Sequence, residues 1–237
     1  MNTNNVKKLI NDTLKSKPSI KVKLLGDSIT HGVGGSGWEQ NGELIVEGWS
    51  QSPYSYCWAN LLRDYMLEKY SATVINKGCT GTKVEFIIDN FDSLVSDDDD
   101  IIICTIGTNN RHQYFVEGEK ITPEEISRRF YECVKRLYEM ISNKHIPVIF
   151  VANIPAAAEN ERDTDVYWRI IHMSDINNIY KQLEKDCGIY LISLYDSFSK
   201  YCEENNVTVD SLLSDGLHPN DKGYKVMFDL LTDALGI

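Results

Sequence analysis

The sequence has no excess of positive charge and no long apolar run. Its 237 residues include 24 Lys and Arg against 35 Asp and Glu, a formal net charge of -11. Such a chain repels nucleic-acid phosphates and anionic membrane surfaces, and no basic run compensates. No segment approaches the roughly 18 apolar residues of a membrane span, and the polar N-terminus lacks a continuous apolar stretch. We therefore expect no nucleic-acid partner, no membrane partner and a cytoplasmic location.

The sequence also lacks the patterns of a metal site or a disulfide framework. None of its six cysteines forms a C-x-x-C pair or lies in a Cys-His cluster at zinc-finger spacing, so we expect reduced thiols and no metal. The acidic run DSLVSDDDD, residues 92–100, precedes a predicted strand, and this position favours a solvated turn over a divalent-cation site. The cysteines are Cys57, Cys79, Cys104, Cys133, Cys187 and Cys202.

What the sequence does contain is a regular alternation of two kinds of segment. Short runs rich in Ile and Val alternate with segments of helical periodicity, which predicts a parallel sheet covered by helices on both faces. We predict one domain over residues 1–237, with residues 1–19 as an N-terminal helical extension. The predicted strands are residues 21–25, 72–77, 100–107, 146–153 and 188–194. The predicted helices are residues 54–70, 123–144, 167–186 and 219–235, the last with Pro219 in its first turn.

The stretch LLGDSITHGVGGSG, residues 24–37, contains two competing patterns. Gly32, Gly34 and Gly37 fit the G-x-G-x-x-G spacing of a dinucleotide-binding turn. That interpretation fails because Gly32 lies several residues beyond the strand, no helical period follows Gly37, and the second strand ends without an acid for the ribose. The glycines instead predict a flexible loop near a ligand site. No organic cofactor is expected.

The second pattern places Ser28 directly after the first strand, where a nucleophile can be presented. Asp215 and His218 are separated by two residues in a turn near the C-terminus, a spacing that can put a carboxylate beside one imidazole nitrogen. Serine, histidine and aspartate together carry out acyl transfer: the base takes the serine proton and the carboxylate fixes the base. We expect the oxyanion to be bound by the backbone N–H groups of Ser28 and Gly78 and by the side-chain amide of Asn109.

Four short blocks of the sequence resemble the SGNH, or GDSL-type, hydrolase family of serine esterases. They are GDSIT with Ser28, NKGCTG with Gly78, GTNN with Asn109, and DGLHP with Asp215 and His218. The resemblance implies a flavodoxin-like sheet of five parallel strands, a catalytic serine after the first strand, and no metal or organic cofactor. The third block departs from the family, because Asn110 stands where an aspartate is frequent. Thr30 occupies the last position of GDSIT, so the G-x-S-x-G elbow of the α/β-hydrolases is absent.

Substrate choice should come from the loops at the carboxyl edge of the sheet, residues 31–53, 111–119 and 155–166 and the turn around Asp215. Their aromatic side chains and amides suit a sugar ring better than a lipid chain. We expect a serine esterase that hydrolyses short acyl esters, such as acetyl esters, of a polar alcohol such as a saccharide. Lysophospholipase, thioesterase and acyltransferase activity remain alternatives, as does a non-catalytic carbohydrate-binding module. The candidate substrate-binding residues are His31, Trp38, Trp49 and His112.

Overall fold

The computed structural model describes residues 3–38, 55–112, 121–161 and 169–237. At its centre is a five-stranded sheet of order β2-β1-β3-β4-β5 in which every pairing is parallel. The strands are β1 (Lys21–Gly26), β2 (Thr73–Gly78), β3 (Ile101–Thr105), β4 (Val148–Ala152) and β5 (Tyr190–Ser193). Strands β3, β4 and β5 lie inside the predicted runs, and β1 and β2 extend one residue beyond the carboxyl ends of theirs. The structure thus confirms the predicted parallel α/β fold.

Two hydrophobic clusters, one on each face of the sheet, form the core. Helices α1, α3, α9 and α10 supply the first cluster, and α4, α5, α6 and α8 supply the second. The molecule is therefore a three-layer α/β/α sandwich, as expected. The helices are α1 (Thr3–Ser16), α2 (Ser28–His31), α3 (Trp58–Tyr70), α4 (Val84–Asp89), α5 (Phe91–Leu94), α6 (Pro123–Asn143), α7 (Ala158–Glu161), α8 (Met173–Cys187), α9 (Leu194–Asn205) and α10 (Asp221–Leu235).

Three predicted helices begin later than expected, each for a reason visible in the capping. Helix α3, predicted over residues 54–70, begins at Trp58, because Cys57 has extended backbone and is its N-cap. Helix α8 begins at Met173, because His172 has extended backbone and acts as its N-cap. Helix α10 begins after Asn220, whose side chain accepts a hydrogen bond from Gly223 N–H, so Pro219 lies before the helix and not in its first turn. Helix α9 was not predicted. It follows β5 without a loop, and Ser193 caps it by accepting from Asp196 N–H.

Both ends of the chain pack into the first cluster. Val6 and Ile10 of α1 are buried there, and α1 contacts β5 and α10. Residues 1–19 thus include a helix that covers part of the sheet and does not simply extend from it. Among the described residues no helix is long and apolar enough to cross a membrane, and no group of three or more His, Cys, Asp or Glu side chains could hold a metal ion.

The acidic run lies at the amino edge of the sheet and is paired with lysines. Asp97 pairs with Lys144, Asp98 with Lys21, and Asp100 with Lys17. Asp99 is buried and lies 3.4 Å from the Nζ of Lys23, which is also buried. The run is therefore an ion-paired turn, more enclosed at Asp99 than the predicted solvated turn.

Candidate active site

Ser28 stands at the carboxyl end of β1, in the middle of the functional edge. Gly26, the last residue of β1, pairs with Gly78 of β2 and with Thr105 of β3. Loops from β2 and β3 therefore leave the sheet on either side of Ser28. A side chain at Gly26 would meet Thr30 Oγ1 at 2.1 Å and Thr105 O at 2.6 Å, so only glycine fits this close approach.

Asp27 turns the chain from β1 into α2. It is the N-cap of α2, and its Oδ1 accepts a hydrogen bond of 3.0 Å from Ile29 N–H. Ser28 is the first residue of that helix and is 4% exposed. The N–H groups in the first turn of a helix have no partner within the helix. The short helix thus presents the Ser28 hydroxyl and leaves its own N–H free of intrahelical bonds.

His218 and Asp215 form a hydrogen-bonded chain with Ser28. His218 Nε2 lies 2.8 Å from Ser28 Oγ, and His218 Nδ1 lies 2.7 Å from Asp215 Oδ2. A carboxylate only accepts, so Nδ1 carries the proton, and in a neutral ring Nε2 then accepts from the serine hydroxyl. The structure therefore brings together the three side chains that the sequence singled out, across 190 positions of chain between Ser28 and His218.

The turn that carries Asp215 is fixed mainly by backbone groups. Asp215 Oδ1 accepts from Leu217 N–H at 3.0 Å and from His218 N–H at 2.8 Å. Partial burial alone raises the pKa of Asp215, but hydrogen bonds from the backbone and ring of His218 outweigh it and hold the pKa below its usual value. The Asp215 side chain therefore stays ionised beside the imidazole.

A second set of contacts joins this turn to the segment after β4. Ala157 N–H donates to Gly216 O at 2.8 Å, and Asn160 Nδ2 donates to Asp215 O at 3.4 Å. Two arginines in turn donate to Asn160 O: Arg169 at 2.9 Å and the fully buried Arg111 at 3.4 Å. No sequence pattern indicates this support, because all of the acceptors are backbone carbonyls.

The N–H of Gly78, an expected oxyanion donor, already has a partner in the structure. It donates to Asn76 Oδ1 at 2.8 Å, and Gly78 is buried against His31 N and Thr30. Gly78 therefore allows close packing of the chain at this point. The other glycine of NKGCTG, Gly81, is exposed with φ +77°, and its N–H has no hydrogen-bond partner among the described residues.

Asn109 and Asn110 have separate tasks. Asn109 Nδ2 donates to Thr82 O at 3.0 Å, which uses one of its two N–H groups and places the amide beside Gly81. Asn110 is buried: its Oδ1 accepts from Val84 N–H at 3.2 Å, and its Nδ2 donates to Glu85 at 2.9 Å. The asparagine that departs from the family pattern thus fastens α4 to the loop after β3.

Behind Ser28, Asp27 is sealed from solvent. Burial raises its pKa to about 6, although hydrogen bonds from Ile29 and Thr108, the positive charge of Arg111 and, when its ring is protonated, that of His218 act in the opposite direction. Asn153 Nδ2 lies 3.4 Å from the second carboxyl oxygen and 2.8 Å from Thr108 Oγ1. A buried polar network therefore supports Ser28 from inside the sheet.

The candidate substrate-binding residues occupy different positions around this edge. His31 is partly buried, and its Nδ1 donates to Gly78 O at 3.3 Å. Trp38 lines a cleft of ≈ 610 Å³ together with residues 34–37 and 220–222. Burial, followed by the charges of Arg111, Arg169 and Lys83, lowers the pKa of His112 to about 4, so it is neutral at physiological pH. Trp49 lies outside the described residues.

The glycine loop begins as an anchored turn. Ser55 Oγ donates to Gly32 O at 2.7 Å, Tyr224 Oη donates to Val33 O at 2.7 Å, and Ser36 donates to Asp221 through both its N–H and its hydroxyl at 2.7 Å. Residues 32–37 are therefore held against α10, in contrast to the flexible loop that their glycines predict. Residues 39–54 lie outside the described part.

Comparison with known proteins identifies the family. Over residues 24–226 the sequence matches the profile of the GDSL-like Lipase/Acylhydrolase family. Axe2, an acetylxylan esterase from Geobacillus stearothermophilus, shares the fold at 17% identity with a TM-score of 0.67, over 92% of this chain and 94% of its own. The acetyl xylan esterase AlAXEase does so at 21% identity with a TM-score of 0.62, over 91% and 100%.

A curated relative is matched only in part. An "Uncharacterized protein" of Mycoplasma pneumoniae is 23% identical over 193 residues, which are 75% of this chain but only 20% of that protein. The family profile, in contrast, covers most of this chain, from the end of β1 into α10. The chain therefore belongs to the GDSL-like lipase/acylhydrolase family, a family of carboxylic ester hydrolases.

Proposed function

We propose that this protein is a serine esterase that hydrolyses acetyl and other short acyl esters of a polar alcohol such as a saccharide. The observation that carries the proposal is the chain of hydrogen bonds from Asp215 through His218 to Ser28, at 2.7 and 2.8 Å. A serine hydroxyl becomes a nucleophile when a neutral imidazole accepts its proton, and the imidazole is oriented by a carboxylate.

The reaction then proceeds in two steps. Ser28 attacks the ester carbonyl as His218 takes its proton, and Asp215 stabilises the imidazolium that forms. His218 returns the proton to the departing alcohol, which leaves an acyl group on Ser28. Water, activated by His218, attacks this acyl-enzyme and releases the carboxylic acid. No step requires a metal or an organic cofactor.

The tetrahedral oxyanion is bound by N–H donors from three neighbouring segments. They are the backbone N–H of Ser28, the second N–H of the Asn109 amide, and the backbone N–H of Gly81 in place of Gly78. Support for Gly81 comes from its unbonded N–H and from the 3.0 Å hydrogen bond that places Asn109 on the neighbouring Thr82. Loss of one such donor typically lowers turnover about 100 to 1,000-fold.

The choice of a saccharide ester draws on the neighbouring structures as well as on this chain. Axe2 and AlAXEase are acetylxylan esterases that share the fold. In this chain, Trp38 and the imidazoles of His31 and His112 stand at the edge where such a substrate would approach. We propose these three side chains, and Trp49, as contacts to the alcohol part of the ester.

Replacing the nucleophile tests the proposal. Ser28→Ala should lower kcat for ethyl acetate by at least about 1,000-fold, because no other hydroxyl in the described part of the chain contacts His218 Nε2. Labelling by a fluorophosphonate should be lost at the same time. Ser93→Ala is the matched control and should keep full activity, because the exposed hydroxyl of Ser93, on α5, donates only to Asn90 O. Undiminished hydrolysis by the Ser28 variant would refute the proposal.

A further inference from the structure

A second pocket, of ≈ 440 Å³, opens beside the reaction centre. Its floor and one wall are residues 79–83, the loop that follows β2, and its other wall is the outward face of α4 with Glu85, Phe86 and Asp89. We call it the α4 pocket. Its volume lies in the range of about 300–1,000 Å³ that is typical of small-ligand sites.

The α4 pocket adjoins the proposed oxyanion site directly. Cys79 N–H donates to Gly26 O at 3.1 Å, two residues before Ser28, and Thr82 O accepts from Asn109 Nδ2 at 3.0 Å. The loop therefore begins at the nucleophile and passes the amide of Asn109. At Gly81, between them, an added side-chain carbon would meet nothing within 4 Å, so the loop is open to solvent here. A group attached to the reacting ester can reach the pocket over Gly81.

The lining of the α4 pocket combines an aromatic face with hydrogen-bonding groups. Phe86 is 43% exposed, so part of its ring is accessible to a ligand, whereas the phenylalanines of the core are at most 7% exposed. Glu85 and Asp89 lie on the same wall, and Thr80 lies on the loop. An aromatic face with nearby carboxylates suits a sugar ring, which has apolar C–H faces and a rim of hydroxyl donors.

The wall of the pocket is fixed relative to the reaction centre. The buried Asn110 accepts from Val84 N–H at 3.2 Å and donates to Glu85 at 2.9 Å. Asn110 directly follows Asn109, so α4 and the proposed oxyanion donor are held by adjacent residues. A ligand group on Phe86 would thus be positioned against the ester without a large loss of conformational freedom.

We propose that the α4 pocket receives the sugar ring of the alcohol part of the substrate, with the ring on Phe86 and its hydroxyls on Glu85 and Asp89. An acyl chain fits less well, because the charged groups of Lys83, Glu85 and Asp89 on the walls would be desolvated by a hydrocarbon. The two carboxylates also disfavour an anionic sugar. This inference rests on the proposed function and specifies which part of the substrate the chain recognises at this point.

Truncating the aromatic face tests this inference. Phe86→Ala should lower kcat/KM for an acetylated xylo-oligosaccharide about tenfold, mainly through KM, because an aromatic contact contributes on that order. The value for ethyl acetate, whose alcohol has no ring, should stay within about twofold. Phe86→Tyr keeps the aromatic face and should restore the preference. Leu67→Ala, which removes another exposed apolar side chain on α3, is the control and should change neither value.

The outcomes separate this inference from the proposed function. An equal loss for both substrates in Phe86→Ala would overturn the subsite, and so would a change confined to the preference between ethyl acetate and ethyl butyrate, which would indicate an acyl pocket. A wild-type enzyme with no preference for the acetylated sugar over ethyl acetate would also overturn it. In each case the loss of ethyl acetate hydrolysis in Ser28→Ala would leave the esterase proposal standing.

Discussion

Asp27, directly before the proposed nucleophile Ser28, is held by the fold in a buried environment that disfavours its ionised form. It has no exposed surface, and burial raises its pKa to about 6 from 3.8. Between these two pH values the folded state holds a proton that the unfolded chain has lost, so stability falls as the pH rises through this range. The difference in pKa corresponds to about 3 kcal/mol, an order-of-magnitude figure, that the ionised form costs the fold at neutral pH.

Neutralising this group should therefore stabilise the protein at neutral pH. Asp27→Asn keeps an oxygen acceptor for Ile29 N–H. After a half-turn of the Asn153 amide, which now points its Nδ2 at Asp27, the new amide can donate to Asn153 Oδ1, an oxygen without a partner among the described residues. Urea unfolding at pH 7.5 should show a gain of about 1 to 3 kcal/mol, and at pH 4 the variant and the parent should be similar.

The exposed Asp12 of α1 provides the control for this experiment. Asp12→Asn should leave the unfolding free energy within about 0.5 kcal/mol at both pH values, as surface substitutions usually do. If Asp27→Asn were destabilised more at pH 7.5 than at pH 4, the carboxylate would have to be ionised and favourable in the folded state, contrary to its burial.

At the residue scale, the sequence predicted which side chains lie together, but not which backbone N–H groups are free to donate a hydrogen bond. Serine, histidine and aspartate are restricted to few chemical roles, so their order and spacing pointed to three side chains that the structure places in contact. A glycine offers only its N–H, and whether that N–H is free depends on its neighbours. The N–H of Gly78 donates to Asn76, whereas the N–H of Gly81 has no partner among the described residues, a difference set by the turn after β2.

Helix α7, though only one turn long, connects three parts of the functional edge. Its Asn160 binds the Asp215 turn through the side chain and accepts from Arg111 and Arg169 through the carbonyl. Arg111 also donates to Thr108 O at 3.1 Å, in the loop that carries Asn109. The position of Asp215 is therefore coupled to the loop after β3, and we expect Asn160 to be a positioning residue for His218, the proposed base.

Removal of the Asn160 amide should affect turnover more than substrate binding. Asn160→Ala loses the contact to Asp215 O while its backbone carbonyl still accepts from both arginines. We expect kcat for ethyl acetate to fall about 3 to 10-fold with little change in KM, because a small displacement of a catalytic group lowers the rate of the chemical step.

The matched control for this element is Asn205→Ala on α9, where the amide likewise donates to a backbone carbonyl, Tyr201 O, at 2.9 Å. Its kinetic constants should equal those of the parent. An increase in KM alone for Asn160→Ala would instead place the amide in substrate binding and contradict the positioning role.

At the element scale, the strands were predictable because buried parallel strands form continuous runs of Ile and Val. Helix boundaries were less so, since they depend on caps. The run that ends at Leu194 passes from β5 into α9 at Ser193, and only the hydrogen bond from Asp196 N–H to its hydroxyl marks the change. Pro219 is compatible with a first helical turn, but Asn220 after it is the better cap.

In the molecule as a whole, the proposed reaction site and the ion-paired aspartates lie at opposite edges of the sheet. Ser28, Asn109, His218 and the α4 pocket lie at the carboxyl edge of the sheet, whereas the aspartates of residues 97–100 meet their lysines at the amino edge. These one-to-one pairs contribute no net charge, so the net charge of -11 comes from the rest of the chain. Changes at the amino edge should alter stability without altering the reaction.

The buried pair of Lys23 and Asp99 provides a direct test of this separation. Their side chains are 7% and 0% exposed, so Lys23→Met would leave a carboxylate buried without its cation. We expect the unfolding free energy in urea to fall by about 3 to 5 kcal/mol, while kcat for ethyl acetate, expressed per folded molecule, stays unchanged.

Lys21→Met breaks the exposed pair with Asp98 and should cost less than about 1 kcal/mol. Adding Asp99→Asn to Lys23→Met should recover part of the loss, because the uncompensated charge is then gone. A fall in kcat per folded molecule would show instead that the amino edge is coupled to Ser28 through β1.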